Sequence, residues 1–256
     1  MSNKIKIAYG HDQSQYGVLR LPENKGKSPV VVSIHGGFWK AKYNLEENTP
    51  LAEDLTNRGY ATWNIEYRRI GEEGGGWPGT FNDIIDAVNC LKEIEETDQL
   101  DLTNVIVIGH SAGGHLALWL ASRVKKQLDI TFNELQVPIR KVISLAGITD
   151  LKKVWEIHDR EGVLSPVLEL MGGSPHEEPG RYKIASPIES LPLNVEQVLI
   201  HGELDRHVPI ELSKDYYLTA KEHHDFVKFV SLADAEHFKV IDPSTEEWAK
   251  VLDTLP

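Results

Sequence analysis

The stretch Gly109-His110-Ser111-Ala112-Gly113 sets a serine between glycines, after an unbroken apolar run (105–108) and before an apolar, helix-forming one. A buried strand turning at once into a helix forces the intervening residue into a strained backbone and presents its hydroxyl. The helix start also offers unpaired N–H groups and a positive dipole end, suited to a developing oxyanion. Ser111 is therefore a candidate nucleophile for acyl transfer, with a simple capping serine as the alternative.

A serine hydroxyl needs a base within hydrogen-bond reach, and the base needs an orienting carboxylate. On a strand-turn-helix scaffold of this kind the order along the chain is Ser, acid, His. The segment VLIHGELDRHVP supplies Asp205 and FVKFVSLADAEHF supplies His237, each just beyond an apolar strand. Glu203, Asp234 and Asp150 read better as turn or capping residues. His201 belongs to a strand end, His207 to the loop beside Asp205, and His223 and His224 to a helix end. A third component is SIHGGFW, residues 33–39, whose glycines allow close backbone approach. The N–H groups near Gly37 and Phe38, with that of Ala112, are the expected oxyanion donors, and His35 is expected to brace the loop. Trp39 and Trp77 are candidates for walls of an acyl or leaving-group pocket, with core packing as the competing reading.

The elements that must hold these residues follow from periodicity. KIKIAYG and YGVLRLP read as strands of a hairpin or edge meander. SPVVVSI, ATWNIEYR, VIVIG, KVISLAG, QVLIHG and FVKFVSLAD read as further strands, several too apolar to have an exposed face. Between them lie helices over NTPLAEDLTNRGY, TFNDIIDAVNCLKEIEE, GGHLALWLASRV and IELSKDYYLTAKEHH, with a last one over STEEWAKVLDTL. The second places Phe81, Ile84, Ile85, Val88, Leu91 and Ile94 on one face. This alternation predicts a doubly wound, mostly parallel α/β sheet, as a single domain over 1–256. Residues 151–190, rich in Pro, Gly and charge, break the rhythm and are expected to form a small cap or lid.

Composition narrows the function classes. A net charge of −12 and a pI near 5.4 repel phosphate backbones and anionic lipid, so neither nucleic acid nor a membrane is an expected partner. The single cysteine, Cys90, leaves no internal disulfide and no cysteine metal cluster. The histidines lack metal-ligand spacing such as H-E-x-x-H, and Gly74-Gly75-Gly76 lacks the Lys and Ser/Thr of a phosphate loop. The first residues, MSNKIKIAYGHD, lack the apolar core of a secretory signal, so a cytoplasmic location is expected.

Taken together, HGGFW, GHSAGGHLA, GELDRHVP and EHF resemble the α/β-hydrolase superfamily, in its carboxylesterase and kynurenine formamidase-like branch with an HGGxW loop. The likeness runs in order from about residue 28 to the end. It implies a sheet of about eight strands with helices on both faces, no cofactor, and Ser111, Asp205 and His237 as nucleophile, acid and base. Phe38 replaces the third glycine usual in hormone-sensitive-lipase relatives, which favours formamidase-like and small-ester enzymes. GELDRHVP is also similar to the end of prolyl-oligopeptidase catalytic domains, but without a propeller an oligopeptidase is not expected. The expected activity is hydrolysis of a small acyl ester through an acyl-enzyme. Arylformamide or aminoacyl amide hydrolysis are the alternatives, and a non-catalytic small-ligand receptor is a reading of a different class.

Overall fold

The structure, a computed structural model, describes residues 3–23, 26–124 and 131–256. Its centre is one eight-stranded sheet in the order β1-β2-β4-β3-β5-β6-β7-β8. β1 (Asn3–Ala8) and β2 (Tyr16–Leu21) form an antiparallel hairpin at the sheet edge, one of the two arrangements expected, and β2 pairs antiparallel with β4 (Ala61–Ile65). From β4 onward every pairing is parallel: β3 (Ser28–Ile34), β5 (Leu100–His110), β6 (Lys141–Leu145), β7 (Glu196–Gly202) and β8 (Val227–Leu232).

Parallel strands need crossovers, and the helices that supply them cover both faces. Successive side chains of a strand point to opposite faces, and the core divides accordingly. Val30, Val32, Val105 and Val107 pack with α2 (Gly79–Asn89) and α3 (Ala112–Ser122), while Val31, Ile106 and Ile108 pack with α1 (Thr49–Asn57) and, near the C-terminus, a last helix over Glu246–Leu252. Pro50 lies in the first turn of α1, where its missing N–H has no intrahelical role to lose.

The predicted apolar face of the second helix is present, with Phe81, Ile84, Ile85, Val88 and Leu91 fully buried. The helix is shorter than its pattern, however: α2 stops at Asn89, and a 3-10 turn over Cys90–Lys92 carries the chain on. Cys90 is half-buried, and burial pushes its thiol up to about 11.

Residues 151–190 leave the sheet as three short helices, α4 (Leu151–Glu161), α5 (Pro166–Met171) and α6 (Pro179–Ala185), ending in a 3-10 turn, Pro187–Ser190. Asp150 caps α4 by accepting the Lys153 amide, and Gly162, at φ 67°, closes it. α7 (Glu211–Glu222) then links β7 to β8, and α8 (Glu246–Leu252) closes the chain. Among the described residues no helix is long and apolar enough to cross a membrane.

Parallel pairing has one consequence for the site. Register aligns Ile34 with Gly109, Gly109 with Ser144 and Gly202 with Leu232, so the loops after β3, β5, β7 and β8 leave the same edge of the sheet. Residues scattered over two hundred positions converge there.

Candidate active site

Ser111 stands between the last residue of β5 and the first of α3, with φ 54° and ψ −118°. Non-glycine residues avoid this region, and holding one there costs about 1–3 kcal/mol. The surroundings enforce it: the Ser111 amide donates to the Leu145 carbonyl at 2.8 Å, and its own carbonyl accepts the His115 amide at 3.1 Å. The flanking glycines are sterically required. A Cβ on Gly109 would stand 2.1 Å from the Gly113 carbonyl oxygen, and one on Gly113 would stand 2.1 Å from that of Ile34.

Beyond β7, the carboxylate of Asp205 is fully buried and fully engaged. Its Oδ1 accepts the amides of His207 and Val208 at 2.8 and 2.9 Å, and its Oδ2 lies 2.6 Å from Nδ1 of His237. His201 Nε2, which donates to the Val208 carbonyl at 2.9 Å, is also 3.2 Å from Oδ2. Burial alone would raise the Asp205 carboxyl, but the hydrogen bonds from His201 and His237 hold it well below the usual carboxylate range. His237 is pushed down to about 4, chiefly by burial, with the His110 and His207 charges acting in the same direction and Asp205 opposing them. Because Nδ1–H faces Asp205, the hydrogen-bond network assigns the lone pair to Nε2. The His237 ring is centred 4.5 Å from that of His110, the residue directly before Ser111.

The loop after β3 turns through three consecutive left-handed residues, Gly37 (φ 94°), Phe38 (φ 51°) and Trp39 (φ 57°). This run holds the backbone open toward the elbow. The Gly36 amide is taken by Glu47 Oε1 at 2.9 Å, whereas those of Gly37, Phe38 and Ala112 have no acceptor among the described residues. His35 braces the loop from beneath: its ring reaches the Gly36 carbonyl at 2.9 Å and Glu66 at 2.7 Å, and stacks on Tyr67.

The tryptophans are placed differently from the pocket reading. Trp39 is completely buried and packs edge-on against His115 at 5.2 Å, so it is a core side chain with no surface to offer a ligand. Trp77, half-buried, packs against Phe81 and Phe132 in the same aromatic cluster. Both belong to the layer that supports the loop. A narrow, mostly apolar recess lies between the loop after β3, α4 and the loop after β7, lined by Phe38, Ile148, Val154, Ile157, His158 and His207. One of its walls, Ile148, is tied to the elbow by its amide, which donates to the Ser111 main-chain carbonyl at 3.4 Å.

Sequence reasoning did not single out these walls, nor the supporting residues Glu47, His110 and His201. Val154, Ile157 and His158 come from α4, whose placement over the sheet edge is a tertiary fact. The available signals were the histidine directly before the serine and the four-residue spacing from His201 to Asp205. Among the described residues no group of three or more His, Cys, Asp or Glu side chains is arranged to hold a metal ion.

A truncated carbohydrate esterase from gut microbiota superposes on the whole molecule with a TM-score of 0.82 at 21% identity, covering 99% of this chain and 94% of that one. The likeness establishes a shared fold, the α/β-hydrolase architecture. By sequence the chain is 24% identical over 216 residues to esterase LipQ of Mycobacterium tuberculosis, which spans 82% of this chain and only about half (50%) of LipQ. Kynurenine formamidase of Danio rerio is 21% identical over 246 residues, covering 95% of this chain and 77% of that protein. The BD-FAE family model matches residues 18–219, which takes in the strained serine, Asp205 and the loop after β3. By that match the chain belongs to the BD-FAE family, in the carboxylesterase-like branch of the α/β-hydrolases.

Proposed function

We propose that the protein hydrolyses small carboxylic esters by a serine mechanism. The observation that carries this reading is the strained backbone of Ser111 at a helix start, with the Asp205–His237 pair on the same sheet edge. Ser111 is the nucleophile, His237 the base through Nε2, and Asp205 the group that fixes the imidazole tautomer and stabilises the imidazolium. Ser111 Oγ attacks the acyl carbon as its proton passes to Nε2. The oxygen that becomes negative is received by the amides of Gly37, Phe38 and Ala112, which have no competing acceptor among the described residues. His237 then protonates the leaving alcohol, and water repeats the sequence on the acyl-enzyme.

A short acyl group is supported if it enters the narrow recess behind Phe38, where Ile157 and Val154 leave little room for a chain. The similarity to esterases supports an ester over an amide, which also needs stronger leaving-group protonation. Arylformamide hydrolysis is the second reading, favoured by the long alignment with a kynurenine formamidase. It would use the same three side chains.

A fluorophosphonate probe tests the reading directly. The expected result is stoichiometric labelling of the peptide carrying Ser111, together with turnover of p-nitrophenyl acetate exceeding that of N-formylkynurenine. A chain that takes up no probe and turns over neither substrate is a ligand receptor on this fold, and the enzyme reading fails.

A further inference from the structure

His110 is almost wholly buried, and both of its ring nitrogens face acceptors. Nε2 lies 3.0 Å from the main-chain carbonyl oxygen of His237, and Nδ1 lies 2.8 Å from Oε1 of Glu47. A carbonyl oxygen has no proton to give, so Nε2 carries one. A neutral imidazole has only one N–H, so the contact with Glu47 requires a second proton within the His110–Glu47 pair. A proton held on Oε1 would compete with the Gly36 amide that the same oxygen accepts, which places the proton on Nδ1.

The surroundings agree. Oε1 of Glu47 also accepts the Gly36 amide at 2.9 Å, as a carboxylate does readily. Burial would raise the Glu47 carboxyl, but the His110 hydrogen bond and charge, the Gly36 amide and the His35 charge bring it down to about 2.

We infer that His110 is a resident imidazolium, paired with Glu47, which anchors the His237 main chain and by its charge keeps the His237 ring neutral and able to accept a proton. The inference rests on the proposed roles of Ser111 and His237, and it makes His110 and Glu47 positioning residues. The charged and titratable groups around the pair come from every neighbouring loop. Glu47 comes from the 3-10 turn Leu45–Asn48, His35 from the end of β3, Asp205 and His207 from the loop after β7, and His237 from the loop after β8. Of these, the His110 cation and the His207 ring oppose protonation of His237, while Asp205 favours it. One carboxylate thus ties together the oxyanion loop, through Gly36, and the base loop, through His110. The His110 charge also makes the His237 imidazolium, once formed, a stronger acid toward the leaving group.

Nitrogen-15 NMR of the histidine-labelled wild-type protein reads the charge directly, with His110 assigned by comparison with His110→Gln. At neutral pH both His110 ring nitrogens are expected to give protonated-type resonances. One unprotonated nitrogen there overturns the inference. This readout needs no turnover, so it stands apart from the failure of probe labelling that would remove the enzyme reading.

Glu47→Gln supplies the kinetic arm. Both contacts are made by Oε1, so the amide introduced at this position can satisfy only one of them, the Gly36 N–H or Nδ1, and His110 loses the charged partner that holds its second proton. The expected result is that the acid limb of the kcat/KM profile moves to higher pH by about one unit, a tenfold greater loss at acidic pH. A profile scaled down uniformly, with its acid limb in place, marks a purely structural pair and overturns the inference.

Discussion

One carboxylate oxygen of Asp205 lies 2.6 Å from Nδ1 of His237 and 3.2 Å from Nε2 of His201, so two imidazoles share it. The other oxygen is saturated by two backbone amides from its own loop. The carboxylate therefore cannot rotate without breaking its amide bonds. His201 is itself fixed, because Nδ1 faces the Ser213 hydroxyl at 2.8 Å and Nε2 the Val208 carbonyl. The orientation of His237 is thus set by β7 and α7 as well as by its own loop.

Asp205→Asn keeps the shape of this arrangement and reverses its hydrogen-bond sense, favouring the tautomer with the proton on Nε2. The expected loss in kcat on a short ester is about 10⁴-fold, by analogy with such changes in serine hydrolases. Steady-state kinetics on p-nitrophenyl acetate, with circular dichroism as the folding control, measures it. A loss under tenfold removes Asp205 from the proposed mechanism.

Activity is expected to persist well into acidic pH. His237 must be neutral to accept a proton, and burial pushes it down to about 4. Its acid limb should then lie well below the ordinary histidine value of about 6.5. The sign for stability follows: with the folded value depressed, this contribution is fully present above about 6.5 and is lost as pH falls toward 4. Profiles of kcat/KM and of Tm between pH 4 and 8 test both. An acid limb near 6.5 contradicts the effect of burial.

Gly113→Ala probes the elbow's packing. The new Cβ would stand 2.1 Å from one carbonyl oxygen and 2.5 Å from the next, in β3 and just beyond it. Relief requires separating α3 from β3, at a cost of about 1–3 kcal/mol, with activity falling further because Ser111 moves. Urea denaturation and ester turnover provide the two readings. Wild-type values in both show that the close approach is dispensable.

Ile157→Ala enlarges the recess without touching Ser111, Asp205 or His237. Two more methylenes of acyl chain should then be accommodated, raising the butyrate-to-acetate ratio of kcat/KM by about tenfold. An unchanged ratio places the acyl group elsewhere.

The sheet was legible because its strands are long apolar runs that alternate with capped or amphipathic helices. The elbow was legible for a sharper reason: Gly109 and Gly113 are required by contacts of about 2 Å, and a requirement that strict leaves its mark on residue type. Asp205 and His237 could be named because both follow apolar strands, and parallel pairing carries such positions to one edge. The sequence left Trp39 between pocket wall and core, because a bulky aromatic next to a site looks the same in sequence whether it faces a ligand or the core. Its φ of 57° swings it inward onto His115. The roles of Glu47 and His110 were invisible for another reason. They meet across 63 positions, and a contact of that kind exists only once the loops are folded together.

The recess borrows Val154, Ile157 and His158 from α4, a helix that contributes no strand to the sheet and lies outside the segments carrying Ser111, Asp205 and His237. On the proposed reading the acyl pocket is therefore composite: Phe38 and His207 come from loops that also serve bond-breaking, and Val154, Ile157 and His158 from the insertion at 151–190. Replacing that insertion is then expected to change acyl preference while probe labelling of Ser111 persists.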